Sequence, residues 1–467
     1  MPLLAAPVAP LGGDVLLVFL LQVGILLGLA VLLGRLAARA GMPAVVGELA
    51  VGLVLGPSLL PHVAPGLSDW LLPQRPEQAH LLDGLGQVGV LMLVGVTGMH
   101  LDLELVRRRA GAALGISLGG LVPPFALGIG LGLVLPGLFL SPSADRLVFA
   151  LFMGVAMCVS AIPVIAKTLM DLNLLHRNIG QLILTAGMVD DAFGWLMLAV
   201  VSAMAGGGGL GGDTLTAAVA LVGIVVAAAL VGRPVVRAAF RLGAGRTALT
   251  PRPGTVPGTA PGDGPDGGTA AGAPAAVAAV LILLGAAGTH ALHLEAVFGA
   301  FVMGILVGNA SGVDPARLAP LRTVTLSVLA PVFFATAGLR MDLTELARPQ
   351  VALGGAAVLA IAVAGKFAGV YAGARLSRMT SWEGLALGAG LNARGVIEVV
   401  VAMVGLRLGV LTTAAYTVIV LVAIVTSVMA PPILRYAMAR VEHTADEHLR
   451  RQRQDGLVSG ETARSPG

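Results

Sequence analysis

Asp190 and Asp191 stand side by side in "TAGMVDDAFGW" (185–195), inside an apolar run from Asn178 to about Met204. Lys366 lies near the middle of a second run, and Arg394 and Glu398 lie within a third. An unpaired charge near the centre of a bilayer costs about 2.5–3.5 kcal/mol. Five of them would cost roughly 12–18 kcal/mol, comparable with the net stability of a whole domain. These side chains must therefore face protein interior or water, and pair. Adjacent helical residues point about 100° apart, so the two carboxylates cannot share one partner symmetrically. One can line a cavity while the other turns toward a neighbouring helix, and Lys366 is a suitable counter-charge. A carboxylate that is destabilised by burial and stabilised by an ammonium can trade a proton for a metal cation. Its oxygens suit a hard ion such as Na⁺ or K⁺. Asp190 and Asp191 are thus the candidate cation- and proton-binding residues, with Lys366 as charge partner. Arg394 and Glu398, spaced i,i+4, are expected to pair on one helix face.

The elements that must position these groups are membrane helices. The 467 residues are 57% hydrophobic and only 12% charged, with a mean hydropathy of +0.92, more apolar surface than a soluble fold can hide. Thirteen hydrophobic segments are read, at about 14–34, 43–60, 84–101, 110–136, 146–169, 178–204, 214–236, 275–292, 294–310, 323–339, 350–374, 381–405 and 411–434. One alternating set of loops, with the C-terminal tail, carries 22 of the 29 Lys and Arg, the opposite set carries five, and Lys366 and Arg394 lie within spans. The positive-inside rule then places the N-terminus outside and the C-terminus in the cytoplasm. The first basic residue is Arg35, so a cleaved signal peptide is not expected. The expected organisation is an N-terminal extracellular segment (1–13), a first membrane half (14–243), a Gly/Pro-rich cytoplasmic linker (244–273), a second membrane half (274–438) and a short cytoplasmic tail (439–467).

The two halves resemble each other. In "VVGELAVGLVLGP" (45–57) and "VFGAFVMGILVGN" (297–309), Gly47, Gly52 and Gly56 match Gly299, Gly304 and Gly308 at an offset of 252. "GMHLDL" (98–103) matches "GLRMDL" (338–343) at an offset of 240. The matched spans are seven apart, an odd number, so equivalent helices cross in opposite directions. Inverted repeats of this kind are typical of secondary transporters, which bind substrate near the midplane on interrupted helices. Two such interruptions are expected. "VSAIPVIAKTL" (159–169) holds Ser160 and Pro163, and the proline is expected to kink or open the fifth span. "GAGLNARGVIEVV" (388–400) places Asn392, Arg394 and Gly395 within the twelfth.

Other chemistries fare worse. A single cysteine, Cys158, excludes a disulfide framework and any Cys-rich metal centre. His290 and His293 lack a third ligand and read as interfacial. "MAGGGGLGGD" (204–213) lacks the ending of a phosphate loop. Intramembrane aspartyl proteases place their acids on separate helices with a GxGD motif, which is absent here.

Five stretches, in order along residues 43–434, carry a resemblance: "GELAVGLVLGPSLL" (47–60), "LGQVGVLMLVGVTGMHLDL" (85–103), "SAIPVIAKTLMDLNLLHRNIGQLILTAGMVDDAFGW" (160–195), "LAPVFFATAGLRMDL" (329–343) and "ALGAGLNARGVIEVVVA" (386–402). In these the chain resembles the monovalent cation:proton antiporter-2 family, with its Kef-type bacterial systems and plant cation/proton exchangers. The resemblance implies the sodium/proton antiporter-like fold: an all-α membrane protein of about thirteen helices with two interrupted, crossing helices, assembled as a homodimer. Each protomer would have a dimerisation panel and a mobile core of spans four to six and eleven to thirteen. It implies that Asp191 is the cation and proton carrier. Asp190 occupies a position that is Asn in many relatives, and with Lys366 it matches the electrogenic pattern. The expected function is alternating-access exchange of protons for Na⁺ or K⁺ across the plasma membrane, with no cofactor, no enzymatic activity and no nucleic-acid partner. An organic-anion transporter of the same architecture, with Arg394 as anion ligand, and a gated cation channel are the alternatives.

Overall fold

The computed structural model describes residues 12–72, 76–101, 110–174, 176–206, 223, 226, 228–243, 267–292, 294–310 and 315–442. Among the described residues, ten helices are long and apolar enough to cross a membrane, and a bent helix pair makes eleven. The first half supplies α1 (Gly13–Arg39), α2 (Ala44–Leu55), α3 (Pro76–Met99), α4 (Ala110–Val134), α5 (Arg146–Cys158), α6 (Ile162–Asp171), α7 (Asn178–Gly206) and α8 (Arg233–Gly243). The second supplies α9 (Gly267–Ala291), α10 (Ala296–Gly308), α11 (Ala330–Gly338), α12 (Pro349–Leu376), α13 (Ser381–Leu391), α14 (Val396–Arg407) and α15 (Thr413–Met438).

Twelve of the thirteen expected spans have a helical counterpart. Most of the seventh, 214–236, lies outside the described residues, as do His293, Asp102 and most of the proposed linker and tail, so thirteen is not confirmed as the count. The ninth is α10, only 13 residues long. Helix α9 begins at Gly267, inside the stretch read as linker to 273.

Helix starts follow local chemistry. Asp145 accepts from the amides of Leu147 and Val148 to begin α5, and Thr380 with Glu383 forms a capping box on α13.

Glycine contacts realise the internal repeat. A Cβ on Gly338 would lie 2.3 Å from the Leu49 carbonyl oxygen, and one on Gly98 would lie 2.5 Å from that of Phe301. These contacts are counterparts, since 338 − 98 = 240 and 301 − 49 = 252. Gly52 likewise meets Gly338, and Gly304 meets Gly95. The second helix of each half therefore packs on the third helix of the other, α2 on α11 and α10 on α3. With α1 and α9 they make one bundle. Helices α4–α7 and α12–α15 make the second, which holds the charged residues.

The second bundle is centred on α4 against α12. Gly119 and Gly369 let these backbones touch: a Cβ on Gly369 would lie 1.8 Å from the Gly119 carbonyl oxygen. Gly369 is one turn from Lys366. We predict that Gly369→Ala forces α4 and α12 apart and costs about 1–3 kcal/mol or more. Gly24→Ala, at a site with nothing near its Cβ, should be neutral or slightly stabilising. Melting of both variants in detergent checks this; equal melting of Gly369→Ala and the parent would refute the close packing.

Candidate functional site

Two helices break inside the second bundle. The first break, at Val159–Ala161, separates α5 from α6; the second, at Asn392–Gly395, separates α13 from α14 at a bend of 45°. The first break comes before Pro163, which sits in the first turn of α6. The fifth span thus opens as expected, with the break at Val159–Ala161 rather than at Pro163 itself. A proline in a first turn removes a donor that has no helical acceptor anyway, so it starts α6 rather than bending it.

The broken segments cross and bond. The Ala161 amide donates to the Ala393 carbonyl at 3.0 Å. Ser160 Oγ lies 2.7 Å from both the Leu391 carbonyl and Asp190 Oδ2. Its single proton serves one of them at a time. Ser427 Oγ donates to the Arg394 carbonyl.

Asp190 is tightly held. Ser117 Oγ donates to Oδ1 at 2.6 Å, and Lys366 Nζ donates to Oδ2 at 2.7 Å. Lys366 also donates to the Cys158 carbonyl at 2.7 Å. Asp190 and Lys366 are both fully buried. The expected counter-charge is therefore in place.

Asp191 is equally buried, yet neither of its oxygens has a hydrogen-bond partner. The Ile162 amide, at the N-terminus of α6, faces it without meeting hydrogen-bond geometry.

Arg394 lies in the second break. It donates to the carbonyls of Ala156 and Met157 at the end of α5, and to Ala362 at 3.2 Å. Its distance to Glu398 is 3.7 Å. The expected i,i+4 pair is present but long, because Arg394 precedes the first turn of α14 and its guanidinium also serves helix-end carbonyls. A guanidinium so occupied and fully buried does not suit an organic-anion ligand.

Sequence reasoning missed Ser117, one hydroxyl in the Gly-rich "GISLGG", and the Cys158 carbonyl. Among the described residues no cluster of three or more His, Cys, Asp or Glu could hold a resident metal.

Two cavities open where the bundles meet. One of about 250 Å³ is lined by Met42, Pro43, Lys167, Thr168, Pro431 and Arg435. The other, on the opposite face, is about 30 Å³ and is lined in part by Asp83, Gln87, Val297, Arg340, Val400 and Arg407. At the smaller cavity, Arg407 of α14 pairs with Glu295, the residue before α10, at 2.6 Å. This pair joins the two bundles.

The transmembrane sodium/hydrogen exchanger family model matches residues 25–439. The chain belongs to the sodium/hydrogen exchanger family. It is an integral membrane transporter, not an enzyme. Among its relatives, the Na⁺/H⁺ antiporter NhaS4 of Synechocystis is 30% identical over 90% of this chain and 97% of its own length. Cation/H⁺ antiporter 20 of Arabidopsis thaliana is 28% identical over 86% of this chain, which spans just under half (46%) of that protein. In fold, the exchanger is similar to the sodium proton antiporter MjNhaP1 of Methanocaldococcus jannaschii. The TM-score is 0.63, at 16% identity, over 91% of this chain and 99% of that one.

The pairing of Asp190 with Lys366 generates a stability prediction. Lys366→Met strands a buried carboxylate and should cost about 3–5 kcal/mol. Adding Asp190→Asn should recover most of that loss. Unfolding of the parent, the single and the double variant in detergent tests this; an equally stable Lys366→Met would show that the pair does not anchor the crossing.

Proposed function

We propose that this exchanger swaps protons for Na⁺ or K⁺ by alternating access, with Asp191 as the carrier. The observation that carries the reading is the unequal treatment of two adjacent acids. Asp190 is neutralised by Lys366 and bonded by Ser117, with Ser160 shared between it and the Leu391 carbonyl, while the buried oxygens of Asp191 receive no hydrogen bond. A buried carboxylate without donors needs a positive companion. A proton or a hard cation can each fill that role, and they compete for one site. Binding of one therefore requires release of the other, which couples the two fluxes. NhaS4, similar over nearly its whole length, is named as a Na⁺/H⁺ antiporter, in keeping with this substrate class.

In this reading Asp190 and Lys366 set the charge carried. A cation that engages both carboxylates displaces Lys366, which then gives up its proton. Asp191 gives up a second. Two protons exchange for one monovalent cation, and one net charge moves per cycle. The exchanger would sit in the plasma membrane as a homodimer, N-terminus outside and C-terminus in the cytoplasm, as the bias of basic loops supports. The larger cavity, lined by Lys167 and Arg435, would then open to the cytoplasm. The division at 13/14, 243/244, 273/274 and 438/439 is kept as a proposal.

Two variants test the scheme in proteoliposomes. Asp191→Asn should abolish cation-dependent proton movement, read by a pH-sensitive dye with Na⁺, K⁺ and choline; unchanged exchange would defeat the assignment. Asp190→Asn should keep dye-detected exchange while current on a solid-supported membrane falls. A parent-like current would count against charge movement through the Asp190–Lys366 pair, and single-channel openings in the parent would favour a channel.

A further inference from the structure

Asn392 is fully buried, and neither its amide oxygen nor its amide nitrogen has a hydrogen-bond partner. A buried amide left wholly unsatisfied costs more than a hydrogen bond contributes. An apolar residue of the same shape would be cheaper there. Its place in the chain says what the amide is for. Asn392 is the first residue of the second break, directly after α13. The carbonyl before it, on Leu391, contacts the Ser160 hydroxyl that also touches Asp190. The carbonyl after it, on Ala393, accepts from the Ala161 amide. Ala161 in turn precedes Ile162, whose amide faces Asp191. The backbone around Asn392 is therefore pinned to Ser160, which touches Asp190, and to Ala161, which precedes the residue facing Asp191.

Helix-end duties do not use the side chain. The backbone N–H of Asn392 already donates to the Gly388 carbonyl at 3.0 Å, and that of Ala393 to the Gly390 carbonyl at 3.3 Å, closing α13. Serine or threonine could supply one polar atom in that space. An amide supplies both a neutral oxygen, which suits a dehydrated monovalent cation, and an N–H pair, which suits a carboxylate.

We propose that Asn392 is a cation ligand that sets selectivity: its Oδ1 joins Asp191 around the transported Na⁺ or K⁺. This rests on Asp191 being the carrier. A neutral oxygen adds no charge, so it tunes which cation fits without altering proton stoichiometry. It also gives a reason for a polar side chain at a site where packing alone favours leucine.

The test compares Asn392→Leu, which keeps the volume, with Asn392→Ser, which keeps one oxygen, and with Asp191→Asn, in proteoliposomes containing Na⁺ or K⁺. Asn392→Leu is expected to raise the apparent KM for the preferred cation about tenfold or more and to change the Na⁺:K⁺ ratio of KM values. The rate at saturating cation should stay near that of the parent. Asn392→Ser should fall between. In detergent, the rise in melting temperature caused by adding Na⁺ or K⁺ should shrink in the same order, a readout that survives if Asn392→Leu folds too poorly to transport. Parent-like KM values, ratio and cation-induced melting shifts in the variants would overturn the proposal. So would lowered melting with unchanged KM, which marks a purely structural role. If Asp191→Asn is inactive while the Asn392 variants behave as the parent, only the ligand assignment fails; if Asp191→Asn still exchanges, the carrier assignment fails first.

Discussion

An α-helix that stops within hydrocarbon leaves amides or carbonyls that no water can reach. Four helix ends meet that difficulty at the crossing of the two broken spans, and the charged residues answer it end by end. The last carbonyls of α5 bond to Arg394 and Lys366. The Leu391 and Ala393 carbonyls beyond α13 bond to Ser160 and the Ala161 amide. At the two N-termini, where the helix dipole is positive, stand carboxylates: Asp191 faces α6 and Glu398 lies in the first turn of α14. Once those duties are assigned, Lys366 and Asp190 are paired and both terminal nitrogens of Arg394 are occupied. Asp191 keeps two buried oxygens that receive no hydrogen bond, which is what singles it out as the proposed carrier.

The same pseudo-symmetry that crosses the broken helices also builds two mouths. Each lies between the second half of a broken helix and the residues leading into a repeat-matched helix: α6 with Met42 and Pro43 before α2 at one face, and α14 with Glu295 before α10 at the other. Pro43 and Glu295 are counterparts (295 − 43 = 252). Where the first half has a proline, the second has an acid bonded to Arg407, and the cavity there is the smaller, about 30 Å³ against about 250 Å³. A symmetric scaffold with one asymmetric contact has a reason to rest with one mouth wider than the other.

Much of this was legible in the chain because low dielectric punishes charge so heavily. Asp190, Asp191 and Lys366 could be matched from their depth in apolar runs alone, and the glycines of 45–57 and 297–309 revealed the repeat through their spacing. The partners of Arg394 were not legible. Glu398 is four residues away and the Ala156 carbonyl 238, and only the fold brings the latter within a hydrogen bond. Pro163 signalled the opening but not its place: a proline disrupts a helix interior but fits a helix start, and sequence does not say which it occupies. Ser117 carried no signal, because a lone hydroxyl on a membrane helix more often bonds its own backbone.

The geometry also dictates which parts can move. Asp190 draws its three donors from α4, from the break between α5 and α6, and from α12. Shifting α12 alone would strand a buried charge, at about 3–5 kcal/mol, and shifting α4 alone would remove a hydrogen bond to that charge, worth about 1.5–3 kcal/mol. Sliding the whole second bundle against the first leaves all three bonds intact. What it must disrupt is apolar contact, such as Trp195 on Phe301 with ring centroids 5.8 Å apart, the Arg407–Glu295 pair, and two neutral hydrogen bonds at α15, Tyr416 Oη to the Ala337 carbonyl at 2.6 Å and the Asp342 amide to Thr417 Oγ1 at 3.0 Å. The Arg407 side chain is 43% exposed, so that pair falls toward the surface class, worth about 0–1 kcal/mol. These contacts are apolar, neutral or part-exposed, whereas those within the second bundle hold a buried charge, so the proposed alternating access is best served by a rigid-body shift that carries the crossing, and Asp191 with it, between the two mouths.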